Sequence, residues 1–124
     1  MNVERVKYGV AAFSVDPLLT DLARAHSADM LANNYFSHTD NSGCSAQCRL
    51  QKAGYAYRSF GENLYMESGR ALTPLEVATR IVSAWMQSAS HRQNILNAQY
   101  TVSGVGIASS GTRLYATSLY ALPR

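Results

Sequence analysis

Three side chains that lie far apart in the sequence, His38, Glu62 and His91, could together perform metal or proton chemistry. Each is expected at the edge of a regular element, beside aromatic or small residues that could wall a cleft. Two neutral imidazoles with a water or a carboxylate suit zinc, and a glutamate can orient an imidazole or activate a metal-bound water. The set therefore predicts a divalent-metal site at His38 and His91, or an acid–base centre in which Glu62 is the base and His91 assists.

The neighbours of each candidate in the sequence indicate its environment. Glu62 is flanked by Phe60, Leu64 and Tyr65, so it should be partly desolvated, which raises a carboxyl pKa unless a cation or a histidinium lies nearby. The third histidine, His26, falls within an apolar helical stripe. We interpret it as a packed side chain that is bonded to a backbone carbonyl.

Contiguous catalytic motifs do not support a common class of enzyme. The sequence contains no HExxH, no GxSxG and no phosphate-binding glycine loop. Ser88 and Ser90 lie near His91, but helix ending and capping explain both of them, so no nucleophile is marked. Any activity must therefore come from side chains that the fold brings together.

The segment 73–96 is predicted to be the helical element that presents His91. Thr73 with Glu76 forms a capping box that starts a helix, and Ser90 with Gln93 forms a second one that would place His91 at the start of a new turn. Between them runs an apolar stripe at helical spacing, made of Leu75, Ala78, Ile81, Val82, Trp85 and Met86.

The rest of the chain alternates between helical and extended patterns. Residues 1–10 are predicted to form a short helix or an ordered arm with Val3, Val6 and Val10 on one side. A helix from Pro17 to about Asn34 is predicted to have an apolar face made of Leu19, Leu22, Ala23, His26 and Met30. A weaker helix, 44–53, has Leu50 and Ala53 inward and stops at Gly54.

The extended segments are expected to form a sheet. Residues 55–66 are predicted to be a strand or an extended turn that carries Glu62. The segments 102–108 and 113–120 are expected to form an antiparallel hairpin, with Val105 and Ile107 on one face. Gly104 and Gly106 leave the other face open to a closely packed helix.

Length and composition point to a globular protein without a nucleic-acid partner. A chain of 124 residues with 47% hydrophobic residues is expected to form one domain over residues 1–124. Its net charge is +3, but its 11 basic residues are scattered, which argues against nucleic-acid binding. No apolar run approaches the roughly 18 residues of a transmembrane helix. No signal peptide is present at Met1, although one could have been removed before that residue.

Cys44 and Cys48, in GCSAQC, are the two cysteines of the chain. Thiols this close can form a disulfide, although regular helical spacing would hold their Cβ atoms too far apart, so the local backbone would have to deviate. A disulfide would favour an oxidising compartment, and two free thiols are the alternative. A zinc ribbon is not predicted, because it requires a second pair of cysteines.

Four motifs in this order resemble the CAP superfamily, also called the SCP-like extracellular domain: FSHTD at 36–40, GENLY at 61–65, SAWMQSASHRQNIL at 83–96 and GVG at 104–106. The resemblance covers about residues 4–120 and is greatest to compact bacterial members. It implies an α+β fold, an α-β-α sandwich with a three-stranded antiparallel sheet between helical layers. It also implies an extracellular or periplasmic protein, in agreement with a disulfide.

The resemblance further implies a cleft with two histidines and two glutamates, in which the histidines of some members hold zinc or another divalent ion. By motif, the histidines correspond to His38 and His91, and the first glutamate to Glu62. The second glutamate, three residues after the helix tryptophan, is replaced by Ser88, and Glu76 is not a substitute because it has a capping role. Losing that charge should weaken divalent-metal affinity and leaves any acid–base pair incomplete.

Three functions follow as hypotheses. The favoured one is a secreted, monomeric binding domain whose cleft of His38, Glu62 and His91 takes Zn²⁺ or another divalent cation, uses no organic cofactor, and accepts a small apolar or cell-envelope ligand such as a lipid, sterol or cell-wall component. The second is a metal-assisted hydrolase or peptidase with Glu62 as base. The third is an interaction domain with a vestigial cleft. Metal binding should weaken as the pH falls through about 6.5, where imidazole protonates.

Overall fold

The computed structural model of the protein describes residues 1–69 and 73–124. Side-chain caps from Asp16, Ser45 and Thr73 begin three of its helices. In chain order the elements are α1 (Asn2–Lys7), β1 (Ser14–Val15), α2 (Pro17–Asn33), α3 (Ala46–Lys52), β2 (Tyr57–Glu67), α4 (Pro74–Gln87), α5 (Ala89–Leu96), β3 (Val102–Ser110) and β4 (Arg113–Pro123).

The strands form one mixed sheet in the order β1-β3-β4-β2. β3 and β4 are the predicted antiparallel hairpin, and β2, which carries Glu62, pairs antiparallel with β4. The sheet was predicted to have three strands. The structure adds a fourth, β1, which pairs in parallel with β3 at the edge of the sheet. A two-residue strand has no periodic pattern by which a sequence could reveal it.

Helices cover both faces of this sheet, which confirms the α-β-α sandwich. On one face, α2 and α3 pack over a core of Leu19, Ala23, Ala46, Leu50, Leu119 and Ala121. On the other, α4 and α5 contribute to a core of Phe13, Val77, Ile81, Trp85, Ile95, Tyr100, Ala116 and Tyr120. β4 serves both cores, because successive side chains of a strand point to opposite faces.

Two glycines of β3 allow α2 to lie directly on the sheet. A Cβ atom on Gly104 would overlap the backbone nitrogen of Thr20, and one on Gly106 would overlap that of Arg24. Their predicted role is therefore confirmed. The packing of α2 matters for the site, because the FSHTD loop that carries His38 follows this helix.

The N-terminal helix buries a different residue from the one expected. Val3 and Val6 of α1 are 80% and 65% exposed, whereas Arg5 is 1% exposed. The Arg5 guanidinium lies over the Phe13 ring and donates hydrogen bonds to four backbone carbonyls, those of Ala11, Ile95, Asn97 and Tyr100. A valine stripe could not satisfy those buried carbonyls, and unsatisfied buried acceptors are costly.

Helix α4 is rotated relative to its predicted apolar stripe. Its buried residues are Val77, Ile81 and Trp85, one turn apart on a single ridge, whereas Leu75 is exposed. The Trp85 indole N–H donates to the Leu64 carbonyl of β2 at 2.9 Å. This bond fixes the rotation, because a buried indole N–H needs an acceptor.

The two predicted capping boxes have different outcomes. The amide of Glu76 donates to the Thr73 hydroxyl at 3.2 Å, which confirms the cap by Thr73, and the Glu76 carboxylate reaches back to that hydroxyl at 3.1 Å. The second is wrong: α5 begins one residue after Ser88, which is its N-cap residue but makes no side-chain capping bond. The single-residue hinge between α4 and α5 leaves no room for a capping box based on Ser90.

Candidate functional site

The predicted disulfide is present, with the Cα atoms of Cys44 and Cys48 5.2 Å apart. Cys48 lies in the first turn of α3, whereas Cys44 precedes the N-cap residue Ser45. The helix begins between the two cysteines, so the backbone at Cys44 departs from helical spacing as the disulfide requires. Leu50 is buried as expected, but Ala53 lies beyond the end of α3 and is exposed.

The loop from His38 to Cys44 is held by the carboxylate of Asp40. Its Oδ1 accepts hydrogen bonds from the Ser42 amide and the Cys44 amide, each at 2.9 Å, and from the Ser42 hydroxyl at 2.6 Å. The Asp40 amide in turn donates to the Cys44 carbonyl. The bonds from Ser42, followed by that from Cys44, lower the pKa of the Asp40 carboxyl. The loop is a closed turn that ends at the disulfide.

Glu62 of β2 lies at the centre of a charged cluster that includes the first predicted histidine. Its side chain is 3% exposed, and its Oε1 lies 2.8 Å from Nδ1 of His38. Arg49 of α3 donates to both carboxylate oxygens, at 2.8 and 3.0 Å, and also to the His38 carbonyl at 2.8 Å. Three segments that are remote in sequence are therefore joined at one carboxylate.

The charge state of Glu62 follows from these contacts. Burial acts to raise its pKa, but the hydrogen bonds from His38 and Arg49, with the Arg49 charge, outweigh burial, so the pKa lies below its ordinary value. The sequence predicts a raised pKa unless a cation lies nearby, and Arg49 is that cation. Because both oxygens of Glu62 are engaged and its pKa is low, Glu62 is suited to orienting His38 rather than to taking up a proton.

The second predicted histidine, His91, lies in the first turn of α5 and is held by different partners. Its Nδ1 is 2.8 Å from the Ser88 hydroxyl, and its carbonyl accepts a bond from the Asn63 amide group. One turn on, Asn94 bonds to the Asn63 side chain at 2.9 Å and to the Glu62 carbonyl at 3.3 Å. The start of α5 is thus bonded to two adjacent residues of β2, Glu62 and Asn63.

The two imidazoles are close enough for the charge on one to affect the other. Burial and then the charge of His38 lower the pKa of His91. Within the described ranges, both rings make their hydrogen bonds through Nδ1, with Glu62 and Ser88 as partners. When Nδ1 donates to an oxygen, Nε2 keeps its lone pair, which is the form in which histidine binds metals.

Among the described residues, the candidate protein ligands for a divalent cation are few. In residues 1–69 and 73–124, no group of three or more His, Cys, Asp or Glu side chains is placed to hold an ion. His38 and His91 would supply two nitrogen ligands, and water or a bound ligand the remainder. Ser88 adds no negative charge, so the donor set is typical of a weak site.

Sequence reasoning missed Arg49, Asn63 and Asn94. The motif GEN contains signals for Asn63 and Asn94. Asn63 follows Glu62 on β2, so its side chain leaves the opposite face of the strand, towards α5. A Cβ on Gly61 would lie 2.8 Å from Oδ1 of Asn94, so that glycine marks a close approach by another element. No local pattern identifies Arg49 as the partner of Glu62.

The cluster is partly open to solvent. The His38 side chain is 57% exposed. A cavity of about 410 Å³ adjoins it between α2 and α3 and is lined by Leu22, Ala25, His26, Asp29, Asp40, Arg49, Lys52 and Ala53. The solvent-facing side of the site is thus next to a recess that is lined by both charged and apolar side chains.

His26 is buried, with Nε2 2.8 Å from the Ser37 carbonyl, which confirms its predicted structural role. Burial and then the Arg49 charge lower its pKa. Since the unfolded chain therefore binds the proton more readily, the stability of the fold should be complete above about pH 6.5 and decrease as the pH falls below that value.

Replacing His26 by glutamine should reduce this pH dependence, because the amide can still donate to Ser37 but does not titrate. Urea unfolding at about pH 7.5 and about pH 5.5 measures it: the wild type should lose more unfolding free energy between the two values than the variant loses. Equal losses would show that protonation of His26 does not oppose folding.

Comparison with known proteins identifies the family of this chain and agrees with its fold. The model of the cysteine-rich secretory protein family, CAP, matches residues 1–121. The Bacillus subtilis (strain 168) protein YkwD is 40% identical over 111 residues, which span 90% of this chain and 40% of that protein. No helix in the described ranges combines the length and the apolar composition needed to cross a membrane.

Solved structures show the same architecture. An extracellular protein containing a SCP domain from Bacillus anthracis str. Ames superposes with a TM-score of 0.81 at 30% identity, over 97% of this chain and 37% of that one. An outer surface protein from Borrelia burgdorferi gives 0.85 at 20% identity, over 99% and 86%. The chain therefore spans less than half of the YkwD and Bacillus anthracis proteins.

Proposed function

The chain belongs to the cysteine-rich secretory protein (CAP) family, and from this premise we propose that it is a secreted binding domain whose cleft holds a divalent cation between His38 and His91. One observation carries the proposal: both imidazoles are hydrogen-bonded through Nδ1 to an oxygen, of Glu62 and of Ser88, and among the described residues Nε2 of each has no hydrogen-bond partner. Oriented, neutral imidazoles are the ligands that zinc prefers.

Each residue of the site has a distinct part in this proposal. Glu62 holds the His38 ring in place. As a buried carboxylate bonded to Nδ1, it also makes the other ring nitrogen a stronger metal ligand. Ser88 holds the His91 ring without adding charge. Arg49 balances the charge of Glu62, so that the carboxylate stays ionised in a buried position. A bound cation would supply a positive centre that attracts a carbonyl or anionic group of a ligand.

Zinc titration by calorimetry tests the metal part of the proposal. His38→Ala and His91→Ala should each weaken zinc binding by more than the roughly 10- to 100-fold that loss of an orienting partner costs. Gln93→Ala, an exposed change on the same helix as His91, should leave the affinity unchanged. Heats that are equal in the wild type and in the double histidine variant would refute a site at these residues.

Binding should also depend on pH with a definite sign. A protonated imidazole cannot bind a metal, so affinity falls as the pH drops. Because the pKa of His91 lies below its ordinary value, this ring should remain able to bind below about pH 6.5. The same titration repeated across this pH range measures the effect.

The second ligand is proposed to be a small apolar or cell-envelope molecule such as a lipid, sterol or cell-wall component, bound by a monomer outside the cytoplasm. The location is supported by the disulfide and by the extracellular relative from Bacillus anthracis. Native mass spectrometry of protein purified without added metal, with and without a lipid extract, tests both ligands and the monomer. Spectra without any adduct would oppose the proposal.

A metal-assisted hydrolase has less support from the same geometry. Its base would be Glu62, whose pKa is lowered and whose oxygens are both engaged by His38 and Arg49. A screen of peptide and ester substrates is the corresponding test. Turnover that disappears in Glu62→Gln, but not in Gln93→Ala, would favour the hydrolase over the binding domain.

A further inference from the structure

The Cys44–Cys48 disulfide cross-links one stretch of a ring of contacts around His38. We propose that it is a redox-sensitive positioning element: while the bond is intact the His38 ring is held at Glu62, and its reduction by a dithiol releases the loop and weakens metal binding in the cleft. The metal part of this inference rests on the proposed function. The release of the loop does not.

The ring of contacts can be followed atom by atom. From His38 the chain passes through the turn at Asp40 to Cys44, and the disulfide joins Cys44 to Cys48 in the first turn of α3. The next residue, Arg49, donates to the His38 carbonyl at 2.8 Å and to the Glu62 carboxylate. Glu62 returns to the His38 ring at 2.8 Å.

Helix α3 is too short to hold its position alone. It has seven residues, and isolated helices shorter than about 12 to 15 residues are marginal in water. Its attachments include the buried Ala46 and Leu50, the ion pair of Arg49 with Glu62, and the disulfide. The main chain joins the His38 loop to α3 through Ser45, and the disulfide adds a second covalent link between the end of that loop and the first turn of the helix.

Reduction of this bond would leave the loop with weaker restraints. Its remaining contacts in the turn are the hydrogen bonds of Asp40 with Ser42, Gly43 and Cys44. Such bonds at an accessible turn each contribute modestly to stability. The His38 carbonyl and ring would then depend on Arg49 and Glu62 without a fixed loop behind them.

The two cysteine residues differ in exposure, which favours one course of the reaction. Cys44 is buried, whereas Cys48 is half-buried, so a thiolate of the dithiol attacks the Cys48 sulfur and Cys44 leaves. The second thiol of the reagent then displaces Cys48. Two electrons pass to the protein, two protons end on Cys44 and Cys48, and the reagent becomes a cyclic disulfide.

Amide hydrogen exchange tests the positioning role without any metal. In the oxidised wild type, the amides of Asp40 and Cys44 should be protected, and reduction by dithiothreitol should speed their exchange at least about tenfold. The double variant Cys44→Ser with Cys48→Ser should exchange fast with and without the reagent. The amide of Ala116 in the core is the internal control and should not change in any sample.

The outcomes separate local release of the loop from global unfolding. Unchanged exchange at Asp40 and Cys44 in fully reduced wild type would refute the inference, and so would loss of protection at Ala116 together with the loop, since the whole domain would then have opened. Should the serine variant fail to fold, the oxidised and reduced wild-type samples decide the question by themselves.

Zinc titration then tests the link to the cleft. The serine variant should bind zinc roughly tenfold more weakly than the oxidised wild type, in the range for loss of an orienting partner. This variant is used because reduced thiols could bind zinc themselves. Equal affinities would refute control of the cleft by the disulfide. If the oxidised wild type binds no zinc, the proposed function fails, and the exchange experiment still decides the positioning role.

Discussion

Replacing Arg49 by alanine should lower the free energy of unfolding by roughly 3 to 5 kcal/mol, the cost of leaving one partner of a buried ion pair uncompensated. The Glu62 side chain is 3% exposed and that of Arg49 is 11% exposed, and they share two hydrogen bonds. Without the guanidinium, Glu62 keeps the hydrogen bond with the His38 ring but loses its cation, and the His38 carbonyl loses its donor. Urea denaturation at about pH 7 measures the change.

Two further variants show that the effect belongs to the pair. Arg49→Met combined with Glu62→Gln removes both charges and should be more stable than Arg49→Ala, because no unpaired charge is left inside. Arg58→Ala, at an exposed arginine of β2, should change stability by less than about 0.5 kcal/mol. A loss below about 1 kcal/mol in Arg49→Ala would mean that the buried pair contributes little.

Gly106→Ala should destabilise the fold by roughly 3 kcal/mol, at the upper end for overpacking, because the added methyl group meets backbone rather than a flexible side chain. The new Cβ would overlap the backbone of Arg24, and α2 would have to move away from β3. Thermal and urea unfolding measure the loss.

The matched control is Ser109→Ala on the same strand, where the side chain is exposed, and it should be nearly neutral. A displaced α2 would also shift the loop that follows it, so Gly106→Ala should weaken any binding at His38. A variant as stable as Ser109→Ala would contradict the close contact between α2 and β3.

Much of the fold is predictable because local patterns report it. The hairpin, the close approach at Gly104 and Gly106, the helix that starts after Asp16 and the capping box at Thr73 each depend on residues a few positions apart. The four motifs placed these elements in a known sandwich. The faces of α1 and α4 could not be predicted in this way, since an apolar stripe does not reveal which of its neighbouring ridges meets the sheet.

The site shows the same division. The candidates His38, Glu62 and His91 were identified from residue type and motif, and the structure places His38 against Glu62 and joins the start of α5 to β2. The partners of these residues were not predictable. In the sequence, Arg49 resembles any exposed arginine of a helix. Its contact with Glu62 depends on how α3 is placed against the sheet.

By itself, the sequence determined the kind of fold, the order of its elements and the candidate residues of the site. The tertiary structure alone decided that Arg49 helps to lower the pKa of Glu62, that Ser88 bonds to the His91 ring as well as ending a helix, and that Arg5 is buried. The physical reason is that pKa values and hydrogen-bond partners depend on distances between segments remote in the chain. Local periodicity carries no information about such distances.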